Sequence, residues 1–234
     1  MARKLSALKI TRPFSKKTCR KPIVSEPFPE ILFQDEYYIV LNKPANLLSV
    51  PGRGPDKQDC LSARVQARFP SALIVHRLDY DTSGLLMMAL TKPAQSEAGK
   101  LFQNRAIDKT YIAIVAGAPE QTSGSINLPM RCDIERRPLQ IIDHDQGKSA
   151  LTHWQLIESY PNQSSRIELS PHTGRSHQLR LHMKALGHPI LGDNLYGTAE
   201  IHAMSPRLLL HACQLQFIHP FTDEKIELNC QPDF

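Results

Sequence analysis

The chain has little of what marks exported or membrane-embedded proteins. No window of its 234 residues approaches the roughly 18 uninterrupted apolar side chains a membrane span needs, and the basic, polar N-terminus lacks the apolar core of a signal peptide. The five cysteines, Cys19, Cys60, Cys132, Cys213 and Cys230, are odd in number, widely spaced and without any Cys-x-x-Cys pair, so they read as reduced thiols of a cytoplasmic protein. There is no internal repeat. There is also no heptad seam, so nothing points to an obligate protein partner, and a monomer is expected.

Acidic residues are missing from one region altogether. Residues 1–25 hold eight basic side chains (Arg3, Lys4, Lys9, Arg12, Lys16, Lys17, Arg20, Lys21) and no acid. Of the chain's 28 Lys and Arg, 20 therefore remain against 23 acids, and the net +5 resides in the tail. Like charges in a block repel and resist packing, so residues 1–27 read as a flexible basic extension, and residues 28–234 as the folded domain. Such an arm suits nucleic acid; a solvated tail without a specific partner and a transit peptide are the competing readings.

What is present is an ordinary soluble core with short, unevenly spaced elements. Pro22, Pro27 and Pro29 mark a linker, and the body starts near Phe28 with a strand over residues 37–42 that ends in the turn Lys43-Pro44. Asp59 is placed to cap a helix carrying Leu61, Val65 and Phe69 on one face. Pro93 opens a second helix that runs to about Ala106. Residues 111–115, 153–157, 166–169 and 214–218 then read as strands bounded by turn residues. Regular alternation of strand and helix is absent, which predicts an α+β fold with a mixed, mainly antiparallel sheet flanked by helices.

Two dense patches carry the candidate chemistry. In His76-Arg77-Leu78-Asp79-Tyr80-Asp81-Thr82-Ser83-Gly84, an acid and a base lie between the apolar runs 72–75 and 85–90. Alternation in an extended chain puts Arg77 and Asp79 on one face, and charges between buried runs are costly unless paired or used. The second patch, Pro171-His172-Thr173-Gly174-Arg175-Ser176-His177-Gln178-Leu179-Arg180-Leu181-His182-Met183-Lys184-Ala185-Leu186-Gly187, predicts a helix over 177–186 capped by Ser176 and ended by Gly187. His177, Arg180 and Lys184 fall on one face and Leu179, Met183 and Leu186 on the other, and Gly174, Arg175 and the first-turn amides suit a phosphate; a basic face that is merely solvated is the plainer reading. His172, His177 and His182 are spaced by five, which on a helix turns each about 140° from the next, so they do not converge on a metal. Tyr111 begins an apolar strand and reads as a core tyrosine. Arg131, Arg136 and Arg137 flank Cys132 in a long loop, as an RNA-facing edge or as solubilising charge.

Together the stretch 76–84, Lys109-x-Tyr111, residues 173–180 and Arg207-Leu208-Leu209-Leu210-His211-Ala212 resemble the ordered motifs of the RluA-type pseudouridine synthases. Asn42-Lys43-Pro44, Leu48-Ser49-Val50-Pro51-Gly52-Arg53 and Leu186-Gly187-His188-Pro189-Ile190-Leu191-Gly192-Asp193 extend the resemblance, which runs from about Phe33 to the C-terminus. It is strongest to members that act on both 23S ribosomal RNA and a tRNA anticodon stem-loop. It implies the pseudouridine-synthase fold with a central RNA-binding cleft, no S4 domain in the short basic N-terminal segment, no cofactor, no metal, and isomerisation of uridines in structured RNA. By the same resemblance Asp79 is the catalytic carboxylate, Arg180 the cation that keeps it ionised, and Tyr111 the ring that packs on the uracil and can shuttle a proton. Arg77 would fill the space left by the extruded base, and Arg175, His177 and Gln178 would contact RNA. Two other classes fit parts of the pattern. A glycoside hydrolase would pair Asp79 with Asp81, and a non-catalytic RNA-binding or ribosome-assembly factor would use the tail and basic helix alone.

Overall fold

A half-exposed strand alternates polar and apolar residues, whereas residues 85–90 are apolar throughout, so both faces of that strand must be covered. The computed structural model describes residues 28–234 and covers both. In chain order the elements are β1 (Ile31–Gln34), β2 (Tyr38–Lys43), α1 (Leu61–Arg68), β3 (Leu73–Ile74), β4 (Ser83–Ala89), α2 (Lys92–Gln103), β5 (Ile107–Ala116), β6 (Ser123–Asn127), β7 (Met130–Cys132), β8 (Gln140–Ile142), β9 (Leu151–Tyr160), β10 (Ser164–Pro171), α3 (Gln178–Ala185), α4 (Ala199–Ala203), β11 (Leu210–Ile218) and β12 (Lys225–Asn229). Leu85, Met87 and Ala89 of β4 join Tyr38 and Val40 of β2 against Ala94 and Ala98 of α2. Leu86 and Met88 join Ile39 and Leu41 against Leu61 and Val65 of α1. The third cluster sets Leu179 and Met183 of α3 against Ala113, Val115, Ile167 and Leu169 of β5 and β10.

Ten strands form one sheet in the order β1-β2-β4-β11-β5-β10-β9-β6, with β12 on β11 and β3 on β4; β7 and β8 form a separate hairpin. Among these strand pairings of the described residues only β4–β11 is parallel, and it is short: His211 lies opposite Ser83, and Ala212 opposite Gly84. This is the α+β architecture with a mixed, mainly antiparallel sheet that the element order predicts. No helix among the described residues is long and apolar enough to cross a membrane. Residues 1–27, including the basic extension, lie outside the described residues.

Local signals place the helix starts and some strand ends within a residue or two, but β5 and β11 each begin four residues before the predicted 111 and 214, and β9 runs three residues past the predicted 157. Cys60, not Asp59, caps α1: its thiol accepts from Ala63 N, while Asp59 grips Arg64 Nε and Nη2 at 2.8 and 2.6 Å. α2 is capped by Thr91 and stops at Gln103, short of Ala106, because Arg105 takes a left-handed φ of 57° and β5 begins at Ile107. α3 starts one residue late, with His177 rather than Ser176 at the cap position and without a side-chain cap. Arg131 lies in the β7–β8 hairpin and Arg136 in its turn, paired with Asp143 and Asp133, so two of the three loop arginines are held within the hairpin; Arg137 lines the cleft.

Candidate active site

Sheet register, invisible in a linear sequence, assembles the site. Lys43 pairs with Gly84, Gly84 with Ala212, and Ala212 with Tyr111, so one row crosses β2, β4, β11 and β5 with all four residues on one face. Only a glycine fits the second position. Gly84 sits at φ 110°, and a Cβ there would lie 2.3 Å from Ala212 O. Lys43 and Tyr111 thus flank two small residues, and the segment 78–83 enters the row at Gly84.

That segment is fixed residue by residue on both sides of Asp79. Ser49 holds the residue before it, accepting from Leu78 N at 3.1 Å and donating to Leu78 O at 2.6 Å. Lys43 holds the residue after it. Its ammonium is fully buried and donates to Tyr80 O, Pro44 O and Leu47 O at 3.2, 2.9 and 2.7 Å. Thr82 N donates to Asp79 O, closing the turn. Ser83 Oγ is bound by His211 Nδ1 at 2.8 Å and by Arg207 Nη1 at 3.1 Å, which gives the late 207–212 motif its place beneath the loop. Burial pushes the Lys43 ammonium down to about 7, and the charges of Asp79 and Asp81 oppose that shift. Lys43 is the residue that sequence reasoning left out of the site; its place in an Asn-Lys-Pro turn hides that it is interior.

Arg180 meets Asp79 through its field and not by contact, which corrects the expected pairing. Its guanidinium is 1% exposed and donates from Nε and Nη2 to Asp193 at 2.9 and 2.6 Å, from Nη1 to Asp81 at 2.9 Å, and from Nη2 to Asn194 at 3.0 Å. Burial alone would lower its pKa, but the hydrogen bonds to Asp193 and the charges of Asp193, Asp81 and Asp79 raise it. The basic face of α3 is therefore not a solvated stripe; its central residue is an interior ion pair. Asp81 is thereby engaged, and the two-carboxylate arrangement of a glycosidase loses its second free carboxylate. Asp79 is left half-buried on the wall of a cleft of about 1360 Å³, and its carboxylate accepts no hydrogen bond from any described residue.

Tyr111 lines the same cleft while packing against two of the core clusters. Burial and then the negative charge of Asp79 raise its pKa, so it stays a neutral phenol able to donate. The reading of Tyr111 as a plain core tyrosine is thus half right: the ring packs, and its hydroxyl has no partner among the described residues.

The remaining sequence candidates separate into two groups. Arg77 and Arg175 are exposed on the cleft wall, with Arg175 Nε donating to Ser149 O at 3.1 Å. His177 lines the cleft in a left-handed conformation (φ 54°), with Nδ1 2.8 Å from the Tyr196 hydroxyl, and burial lowers its pKa. Gln178 is a correction. Its Oε1 accepts from Thr173 Oγ1 and Arg175 N, and its Nε2 donates to Leu151 O and Thr152 Oγ1, so all four hydrogen-bonding positions of the amide are used inside the protein. It fixes the turn that presents Arg175 and His177 and has nothing left for RNA. The three histidines of this region go separate ways: His172 to Arg105, His177 to Tyr196, and buried His182 to Thr152 and Leu128 O.

The chain that carries this free carboxylate on its cleft wall is similar to known proteins over most of its length. Dual-specificity RNA pseudouridine synthase RluA of Pasteurella multocida is 47% identical to this chain over 210 residues, covering 90% of this chain and 96% of that protein. Its namesake from Yersinia pestis is 49% identical over 204 residues, covering 87% and 99%. Among solved structures, human RNA Pseudouridylate Synthase Domain Containing 1 superimposes with a TM-score of 0.73 at 33% identity, covering 88% of this chain and 83% of that one. The sequence model of the RNA pseudouridylate synthases matches residues 37–185, a span that contains Lys43, Asp79, Tyr111 and Arg180, and the chain belongs to that family.

Proposed function

We propose that this chain extrudes a uridine from a structured RNA and isomerises it with Asp79 as the reacting carboxylate, on both 23S ribosomal RNA and a tRNA anticodon stem-loop. The reaction moves uracil from an N1–C1′ to a C5–C1′ linkage, with no redox change and no group gained or lost. A carboxylate must add to the base or attack C1′ as the glycosidic bond breaks, and either route needs it ionised with free lone pairs. One observation carries the assignment: the Asp79 carboxylate is unengaged in a loop whose neighbouring residues Leu78, Tyr80, Asp81 and Ser83 are tied down, in the field of Lys43 and Arg180. Tyr111 packs on the uracil and donates or returns a proton, and Arg180 is a positioning residue that fixes Asp81 and the loop. Exposed Arg77, two residues before Asp79, stacks in the space the base leaves, where its planar guanidinium also reaches phosphate. Arg175 and His177 bind the RNA backbone.

Asp79→Asn is expected to abolish pseudouridine formation while leaving thermal unfolding and RNA affinity as in the wild type; robust product from that variant refutes the assignment. The basic segment 1–27 is assigned a role as an electrostatic arm. Deleting residues 1–25 should weaken RNA binding and flatten its dependence on salt, by roughly 0.7–0.9 in the log–log slope for each phosphate that the arm neutralises. An unchanged slope would show the segment to be idle. The four described cysteines are free thiols, in keeping with a cytoplasmic enzyme, and the chain is assigned as a monomer.

A further inference from the structure

The uridine chemistry leaves one wall of the cleft unused. There the end of α2, the start of β5 and the residue three before Asp79 bring together Phe102, Arg105, Lys109 and His76. The His76 ring lies 4.7 Å from that of Phe102, and Lys109 Nζ lies 6.0 Å from the same ring. Arg105 Nη1 is 2.9 Å from His172 Nε2, an interaction that uses one of its five N–H groups.

The state of His76 follows from a single hydrogen bond. Its Nε2 accepts from Met87 N at 2.9 Å, so that nitrogen carries the lone pair and the ring proton sits on Nδ1. Burial, and then the charge of Lys109, hold its pKa at about 3, so the ring stays neutral at any working pH. Nδ1 has no partner among the described residues, and the ring lines the cleft. Lys109 lies on the same face of β5 as Tyr111, two residues or about 7 Å along the strand. Its neighbour Asp108 alternates to the opposite face, and no carboxylate pairs with Lys109 or Arg105 among the described residues. Burial lowers the pKa of Lys109, and the charge of neighbouring Asp108, which makes no ion pair with it, opposes that shift. One neutral N–H and two cations, with no acid among them, form a receptor for an anion, and Phe102 gives it an apolar floor.

We infer that His76, Arg105 and Lys109 hold one phosphodiester of the RNA strand beside the extruded uridine, with Phe102 beneath the adjoining sugar. The inference rests on the RNA-modifying reading above. It adds a backbone subsite to the contacts proposed for Arg175 and His177, so the strand is gripped at a further phosphate near the reacting nucleotide. Such a grip fixes the register of the extruded base without reading its neighbours.

The test uses the full chain and a stem-loop RNA carrying the target uridine, made with a neutral methylphosphonate at each loop phosphate in turn. Wild-type affinity should fall about tenfold at one phosphate, as expected when a charge-assisted hydrogen bond is removed. Lys109→Gln should lower affinity on unmodified RNA and reduce the salt slope by roughly 0.7–0.9, and neutralising that same phosphate should then have no further effect. Arg105→Gln, at an exposed position where folding is not at stake, should show the same loss of sensitivity at that phosphate. Equal methylphosphonate effects in wild type and variants, or an unchanged salt slope, overturn the subsite. Pseudouridine formation by the wild type on unmodified RNA, read separately, judges the activity, so failure of one claim is distinguishable from failure of the other.

Discussion

Asp193 offers the sharpest test of how the site is held. Its carboxylate is buried and accepts from Arg180 Nε and Nη2, and also from the backbone N–H groups of Leu195 and Tyr196. Asp193→Asn keeps the shape and one oxygen for the backbone pair but turns an amide against the guanidinium, leaving a side chain 1% exposed with Asp81 as its only carboxylate. Breaking a buried pair in this way costs about 3–5 kcal/mol, because the surviving charge stays in the interior. For a chain of this size each kcal/mol lowers Tm by roughly 2–4 °C, so the expected fall is about 6–20 °C. Asp81→Asn removes one bond at a carboxylate 15% exposed and should cost roughly 1–3 kcal/mol. Urea unfolding of both variants, and of each combined with Arg180→Met, closes a double-mutant cycle. With the buried cation gone, Asp193→Asn should cost much less than it does alone. A single Asp193→Asn variant within about 1 kcal/mol of wild type, or additive losses in the double variant, would refute the claim that this ion pair anchors α3 to the loop.

Two further outcomes follow from the loop's supports. Lys43 releases its proton near pH 7 in the folded chain but only near 10.5 when unfolded, so the unfolded state binds more protons between those values and stability should climb with pH across that window. The slope is at most about 1.4 kcal/mol per pH unit, and it should flatten in Lys43→Met; parallel stability profiles in unfolding titrations would contradict it. Ser49→Ala leaves both backbone groups of buried Leu78 unpaired, at about 1–3 kcal/mol, and frees the residue before Asp79. Single-turnover kinetics should show kcat down roughly tenfold with KM little changed, as for impaired positioning, and a pure KM effect would point to RNA binding instead.

Much of this site is legible in the sequence, to the extent that chemistry is local. An acid between two apolar runs declares itself, because burial without use is costly, and the run after it is continuous because helices cover both faces of β4. The segment 171–187 likewise shows its cations and its helix. What stays hidden is long-range pairing. Arg180 and Asp193 are 13 residues apart, and Arg180 and Asp81 are 99 apart, so nothing in their spacing says that they meet or that Asp79 is bypassed. Gln178 is assigned an RNA contact by the resemblance, and only the fold shows that four partners within the protein consume its amide. Lys43 reads as a turn residue because its local partners, the carbonyls of Pro44 and Leu47, suit an exposed turn as well, and only the fold brings Tyr80 O to it and buries its ammonium.

The hidden pairings share one physical logic, and it concerns what is left unpaired. A buried carboxylate is most stable when well hydrogen-bonded, as Asp193 is with four donors, but such a group is a poor nucleophile because its lone pairs are largely committed. The fold separates the two demands. Ser49, Lys43, Arg180 and His211 bind Leu78, Tyr80, Asp81 and Ser83, the neighbours of Asp79, and none of them touches its carboxylate. Asp79 thus gains the rigidity of a hydrogen-bonded interior while its oxygens remain open to the cleft. Its negative charge is balanced at a distance by buried Arg180, and also by Lys43 while that amine keeps its proton, which lowers the cost of desolvation when RNA closes over the site. For the reaction proposed for Asp79, a direct Arg180–Asp79 pair would serve ionisation better and reactivity worse than the arrangement observed, in which Arg180 is committed to Asp81 and Asp193.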